Sequence, residues 1–277
     1  MKRAAIIESA GGCVMVQPYD KRWDAVTLDG HVVTDVLDAP LHWRKPRAVR
    51  LHGDLFHDDV PDDFIAQVFA VMALAPRHTF QILTKRPERM QSLLSDDDFW
   101  FSVEDYASDF ARRPISVESP ITSVWLGVSV EDQATADQRI PLLLETPAAL
   151  RFVSYEPALG PVDFSAHGAH ALPDHHPSGD GRGGWWSDLG NLPGEPHVDW
   201  IIVGGESGPN ARTFDVQWAR DTITQCRGAG VTVFVKQLGA NPVVWDFGSD
   251  LPLNLKHRAG ADPSEWPEDL RVQEWPA

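Results

Sequence analysis

Short apolar runs recur along the chain, and each ends in a polar or charged cluster. AVRLHGDLF, TFQILTKRP, SVWLGVSVED, LRFVSYEP, DWIIVGGESG and VTVFVKQLG share that plan. A short apolar run closed by turn residues is the signature of a strand buried on both faces, as a parallel sheet requires. The runs predict strands over Ala48–Phe56, Thr79–Leu83, Val124–Val130, Leu150–Tyr155, Trp200–Val203 and Val231–Val235. Apolar residues at helical spacing fill the intervals. Phe64, Val68, Val71, Met72 and Ala75 make a stripe on a helix over Pro61–Ala75, with Asp62 and Asp63 at its positive end. Further helices are predicted over Pro87–Ser95, over Gln133–Glu145 in part, broken or restarted at Pro141, and from an Asp215 cap to Gly228. Residues 96–120 predict a long connection with at most one short helix.

The ends and one interior stretch fall outside this alternation. Residues 1–47 predict an irregular segment in which AAII and CVMVQPY are short strands about the turn Ala10-Gly11-Gly12. Residues 48–240 make the main domain, interrupted over 165–198 by a long loop insertion rich in Gly, Pro, His and Asp that contains Trp185-Trp186. His167, His170, His175 and His176 within it match no closed metal site, and a flexible polar loop is the better reading. Residues 241–277 predict a loop-like tail anchored on the domain by Trp245, Phe247, Trp266, Leu270, Val272 and Trp275.

Composition narrows the class. The 277 residues, 43% hydrophobic, suit one large α/β domain or a domain and a half. No apolar run approaches the length of a membrane span, and the apolar stretch Ala4–Ile7 is too short for a signal peptide. A soluble, cytoplasmic protein without a membrane partner is expected. The net charge of −16 argues against a general basic nucleic-acid surface, though not against a local basic groove. PLHWRKPR either packs Trp43 onto the domain or contacts phosphate through Arg44, Lys45 and Arg47, the first reading being preferred. The two cysteines, Cys13 and Cys226, rule out a disulfide framework and a three- or four-cysteine metal site supplied by this chain alone. Cys226 reads as core; Cys13 reads as an exposed thiol.

Strand–helix alternation brings right-handed crossovers, which gather the loops after the strands on one face where ligands bind. Asp54, His57, Lys85, Arg86, Ser129, Glu131, Ser154, Glu156, Glu206, Ser207, Lys236 and Gln237 are therefore expected around one mouth. Each also has a structural reading. Lys85 or Arg86 would pair with Glu156, Glu131 or Glu206; Asp54 would cap a turn; Gly204-Gly205 would only permit a tight bend. GGESG is neither the dinucleotide fingerprint nor the P-loop, and no Ser-His-Asp, HExxH or CxxC pattern is present.

LHWRKPR, GDLFHDDVPDDF, FQILTKRPERM, WLGVSVEDQATADQRIPLLLETPAALRFVSYEPALGPVD, DWIIVGGESGPNAR, FVKQLG and WPEDLRV together resemble an uncharacterised, phage-associated protein family of the three-cysteine-motif, radical-SAM-like kind. The resemblance implies a parallel-stranded partial βα barrel of radical-SAM/TIM type. It also implies an N-terminal cysteine triplet holding a [4Fe–4S] cluster that cleaves S-adenosylmethionine. This sequence departs there: only Cys13 lies upstream of Trp23. A cluster needs thiolate ligands, so either the chain is truncated relative to a longer protein or it is a variant that has lost the cluster.

Three functions follow as expectations. The first is binding of a small molecule, S-adenosylmethionine or a nucleotide-like ligand. Lys85, Arg86 and Lys236 would hold its carboxylate or phosphate groups, and Glu156 and Glu206 would accept from an amine or ribose or move a proton. Glu156, Glu206 and Lys85 are then the catalytic candidates. Asp54, Arg86, Glu131, Ser154, Gly204, Gly205 and Lys236 are the cofactor-binding candidates, and no residue is assigned to a metal. The second is a non-catalytic module that binds nucleic acid or a phage or host protein. The third, ranked last, is a fragment of a [4Fe–4S] radical enzyme.

Overall fold

The computed structural model describes residues 6–8, 14–16, 21–26, 32, 36–164, 196–246 and 249–276. The predicted insertion, Cys13 and Phe247 lie outside the described residues. Two short strands, β1 (Ile6–Glu8) and β2 (Val14–Val16), pair antiparallel, Ile7 opposite Met15. Then come β3 (Lys21–Trp23), α1 (Ala39–His42), β4 (Ala48–Leu51), α2 (Asp62–Leu74), β5 (Thr79–Thr84), α3 (Pro87–Leu94), α4 (Asp97–Ala111), β6 (Val124–Val130), α5 (Gln133–Glu145) and β7 (Leu150–Tyr155). After the insertion follow β8 (Trp200–Gly204), β9 (Phe214–Asp215), α6 (Val216–Ala229), β10 (Thr232–Gln237), β11 (Pro242–Asp246) and β12 (Ser249–Pro252).

Seven strands make one all-parallel sheet in the order β10-β8-β7-β6-β5-β4-β3. Each successive strand of this sheet joins on the same side as the one before, with no switch point. That is the winding of a βα barrel, and because β3 and β10 are the two ends of the order, the barrel is partial. The unbroken apolar runs explain the parallel sheet: all five residues of β8 are buried, as are six of the seven in β6. Among the described residues no helix is long and apolar enough to cross a membrane.

Contacts divide the chain into two compact units, residues 17–129 with 142–152, and residues 1–16, 130–141 and 153–277. In the first, β3 pairs with β4, Arg22 opposite Arg50, and His52 N–H donates to Trp23 O at 2.8 Å. The sheet therefore begins inside the stretch read from sequence as irregular. β4 stops at Leu51, short of the predicted Phe56, because Gly53 takes a left-handed φ of 83° and Asp54 turns the chain. Leu55 and Phe56 are fully buried nonetheless, in the turn rather than in the strand. Trp43 of the basic connector packs edge-on against His78 at 5.6 Å. Arg77 holds that connector by donating to the carbonyls of Pro40, Leu41 and Trp43. The packing reading of PLHWRKPR is the one realised there.

Three elements differ from the sequence reading. Residues 97–111 form a full helix, α4, where a connection was expected. Asp96 caps it by accepting from Asp98 N–H, Phe99, Val103 and Ala107 are buried, and Arg112 ends it at a φ of 54°. α4 packs on α2 through Phe69, which meets Phe99 and Trp100 edge-on at 5.6 and 5.8 Å. α5 runs through Pro141 without a break, and Pro141 lies on its exposed side. The tail is not all loop: β11 pairs antiparallel with β12 and parallel with β9.

In the second unit Asp215 caps α6 as predicted, accepting from Gln217 N–H at 2.9 Å, and Gly230, one of the two glycines expected to stop the helix, closes it at a φ of 70°. The C-terminal segment covers the edge of β10: Val235 N–H donates to Val272 O, and Glu274 N–H to Val233 O. Trp266, Leu270 and Val272 anchor it in the core, and Trp275 lies 5.0 Å from Trp200. Trp245 does not; it is 61% exposed on the β11–β12 hairpin.

Candidate functional site

The strand-end candidates gather into two groups, one within each unit. In the unit of β4 and β5, Asp54 is the centre. Its Oδ1 accepts from Phe56 N–H (3.1 Å) and from the Thr84 hydroxyl (2.6 Å). Its Oδ2 accepts from the Arg86 guanidinium (2.7 Å) and Lys85 N–H (3.3 Å). Four donors fill the lone pairs of one carboxylate, so Asp54 both caps its own turn and ties it to the end of β5. Arg86 pairs here rather than with Glu156, Glu131 or Glu206, because β4 and β5 are hydrogen-bonded neighbours whose ends lie side by side. Arg89, in the first turn of α3, donates to the carbonyls of His57 and Val60 and to Asp62. The whole loop after β4 is strapped by α3.

In the other unit, Lys236 on β10 and Glu156 just after β7 form an ion pair of 2.7 Å. Their side chains are only 15% and 16% exposed. β8 lies between β7 and β10 in the strand order, and a Cβ on its Gly204 would stand 3.4 Å from Glu156 Oε1 and 3.1 Å from Gln237 O. A Cβ on Gly205 would meet Leu238 O at 2.5 Å. The double glycine thus admits the end of β10: Gly205 N–H donates to Gln237 O (3.0 Å), and Gln237 Nε2 donates to Gly205 O (2.9 Å). Close packing of the two chain segments, a requirement the sequence readings did not name, calls for glycine at both positions.

Two more of the strand-end candidates in this unit, Glu131 and Glu206, form ion pairs. Glu131, after β6, accepts from Arg139 of α5 at 2.9 Å, and its N–H donates to the Thr135 hydroxyl. Asp132 beside it caps α5, and the Thr135 N–H and hydroxyl hold its carboxyl below the usual range. Glu206 is gripped by Arg212 through Nε (2.8 Å), the second guanidinium nitrogen (3.0 Å) and the backbone N–H (2.9 Å). Those bonds, side chain first, hold the Glu206 carboxyl down at about 2. Glu206 raises Arg212 in turn, and the Glu131 charge adds to that effect. Ser154 is buried on β7 two residues before Glu156.

Arg139, Arg212, Thr84 and Thr135 were not among the sequence candidates, yet each partners one or stands beside it. Arg139 falls on α5 two turns after the Asp132 cap, a spacing that was readable. Arg212 was not, because the loop from Glu206 to Arg212 follows no helical or strand period. Cys226 is buried in α6, where desolvation pushes its thiol up to about 12, away from the thiolate a ligand must be. Among the described residues no group of three or more His, Cys, Asp or Glu side chains converges to hold a metal.

A family model described as "Protein of unknown function (DUF5131)" matches residues 13–259. The chain belongs to that family. No curated protein and no solved structure matches it. For this DUF5131 protein, function has to be argued from its own side chains, and the two strand-end groups differ in what they offer. The Asp54 group is closed on itself by backbone and side-chain donors. The Glu156 group places an acid and a base with few bonds of their own beside buried Ser154.

Proposed function

We propose that this DUF5131 protein binds a small molecule at the ends of β7, β8 and β10. The ligand carries both an ammonium and a carboxylate, as the amino-acid portion of S-adenosylmethionine does. The observation that supports the reading is the Glu156–Lys236 pair, 2.7 Å apart and about five-sixths buried. Taking two charges out of water costs several kcal/mol per ion in general, and a hydrophobic pair of the same volume would often be no less stable. Charges kept at such a cost where barrel ligands bind are candidates for a site.

The chemistry of the pair is complementary to a zwitterion. Lys236 donates to a carboxylate and Glu156 accepts from an ammonium, so a ligand's two charges replace the internal pair one for one without leaving a buried charge unpaired. Ser154, near the end of β7, adds a hydroxyl two residues before Glu156. Glu206, gripped by Arg212, shapes the loop after β8 rather than meeting the ligand first. Arg86 stays with Asp54. The choice of S-adenosylmethionine as probe draws on the resemblance to phage-associated, radical-SAM-type barrels; the geometry itself calls only for the zwitterion.

The test is calorimetric titration of the full chain with S-adenosylmethionine and S-adenosylhomocysteine. Both should bind, Lys236→Met should abolish binding, and Glu156→Gln should weaken it at least tenfold. Absence of binding by the wild type, or equal binding by Lys236→Met, would sink the reading.

A further inference from the structure

Trp43 gathers cations around it. Lys21, which opens β3, sets its ammonium 5.2 Å from the centre of the Trp43 ring. Arg77, just before β5, donates to the Trp43 carbonyl at 2.9 Å. Arg44 and Lys45 follow Trp43 directly, and Arg47 is the last residue before β4. Packing Trp43 against His78 leaves the flanking charges toward water: Arg44, Lys45 and Arg77 are exposed, and Lys21 and Arg47 are half-buried. All five belong to one compact unit.

No acid balances this cluster. From Ala39 to Gly53 the chain carries four basic residues and no Asp or Glu, and none occurs between Phe64 and Pro87. The flanking Asp38 is taken by His42, 3.0 Å away. Among the described residues none of the five cations makes an ion pair; the pairs of this unit are those of Arg22, Arg86 and Arg89 with aspartates elsewhere. The Nε of Arg47 is buried with no hydrogen-bond partner. An unmet buried donor costs about 1–3 kcal/mol, so Arg47 is not there for bonds within the fold. The chain as a whole carries a net charge of −16, so the cluster stands against the sign of the molecule and is a place for an anion.

The layout suits an extended anion. Lys21, Arg47 and Arg77 stand at or just before the N-terminal ends of β3, β4 and β5, three neighbours in the sheet. Neighbouring strands are about 4.8 Å apart, so the three ends span about 10 Å. A nucleic-acid strand carries one phosphate per about 3.4 Å of axis, which sets about three phosphates along that span. We propose that this end of the unit binds the phosphate backbone of a single-stranded nucleic acid, with Arg44 and Lys45 extending the contact. Three of the five cations are arginines, whose forked guanidinium matches phosphate oxygens two at a time. Trp43 does not serve as a stacking platform, because Lys21 lies over its ring and His78 meets it edge to face. Recognition is then of phosphate, without readout of the bases. A narrow strand touches the basic cluster alone, whereas a broad anionic membrane would also meet the acidic remainder of the molecule. The inference is independent of the zwitterion reading, which uses other residues.

Fluorescence anisotropy of labelled oligothymidine and oligocytidine with the full chain tests it. Both should bind alike, and affinity should fall with salt on a log–log slope of about −3, from about −0.7 per phosphate engaged. Arg44→Gln with Lys45→Gln, at exposed positions, should weaken binding roughly tenfold and make the slope shallower by about 1.4, while circular dichroism stays that of the wild type. Arg44→Lys, which keeps the charge, should retain most of the affinity. Lys236→Met should leave oligonucleotide binding intact, which keeps failure of this proposal separate from failure of the zwitterion site. The proposal is overturned if the wild type binds neither oligonucleotide, if the double variant binds as the wild type does, or if polyglutamate or vesicles with anionic headgroups bind the wild type as tightly as the oligonucleotides do.

Discussion

Lys236 Nζ lies 2.7 Å from Glu156 Oε2, and each side chain is shielded from water over five-sixths of its surface. A pair so placed is held in a balance between desolvation and attraction. Removing one partner leaves the other charge buried alone, whereas removing both leaves none. Lys236→Met and Glu156→Gln should each lower stability by about 3 kcal/mol, and the double variant Lys236→Met/Glu156→Gln should lose less than the sum of the two singles. Urea unfolding at neutral pH measures all three. Strict additivity would mean that the two groups are not coupled.

Phe152 and Gly127 make a second dependent pair. A Cβ on Gly127 would stand 2.5 Å from the Phe152 ring carbons Cε2 and Cζ. Phe152 is 3% exposed and has little room to retreat. Gly127→Ala should cost about 2 kcal/mol through overpacking. Phe152→Leu, which withdraws the ring, should make the same substitution nearly neutral in its background. A denaturant series on the four proteins checks this, and an equal cost of Gly127→Ala in both backgrounds would show that the ring is not what the glycine accommodates.

These dependencies mark the limit of what the sequence makes legible. The strands of the parallel sheet are readable because burial on both faces leaves an uninterrupted apolar run; Val124–Val130 and Leu150–Tyr155 carry the same ends in the structure. α4 is less so. Its buried Phe99, Val103 and Ala107 follow the helical period, but Phe101 is 63% exposed and acids surround the stripe, which hides the pattern in an acidic, mixed segment. β3 is missed because a three-residue strand gives no period at all. At the strand ends, the sequence tells which residues follow each strand, since position after a strand is a property of the chain. Partner choice is not: Arg86 turns to Asp54, and Glu206 to Arg212, for reasons of neighbouring ends and loop closure that only coordinates contain. The cations around Trp43 come together only once β3, β4 and β5 are neighbours, which no single strand reveals.

Alkaline pH should loosen the second unit. Burial pushes the Cys226 thiol up to about 12 from 9.0, and burial, aided by the Asp132 and Asp221 charges, raises the Tyr155 phenol above 10.0. Tyr155 also donates its hydroxyl proton to Gly160 O. In both groups the folded state prefers the proton more than the unfolded chain does. Their stabilisation is therefore complete below pH 9.0 and declines as pH rises toward about 12. The urea midpoint should be flat just below pH 9.0 and fall above it, and Cys226→Ala should reduce the slope. Iodoacetamide should leave Cys226 unmodified in the folded protein and label it once urea unfolds the chain. Rapid labelling of the native protein at Cys226 would contradict the buried thiol.

The acid limb belongs to Glu206. Its carboxyl is held at about 2, against 4.5 in the free side chain, by the Arg212 side chain and then by the Arg212 backbone N–H. A depressed folded pKa contributes stability above the unfolded value and loses it as pH falls through the folded one. The window here runs from 4.5 down to about 2. Because the group faces solvent, what it stabilises is the closed loop from Glu206 to Arg212 rather than the core. Carbon-detected NMR should show the Glu206 carboxyl still ionised where ordinary glutamates have titrated, and Arg212→Ala should return its midpoint toward 4.5. The same substitution should speed proteolysis between Ser207 and Ala211, while Arg212→Lys, which keeps the charge but loses the two-point grip, should restore only part of the protection. A Glu206 that titrates normally in the wild type would remove the loop clasp.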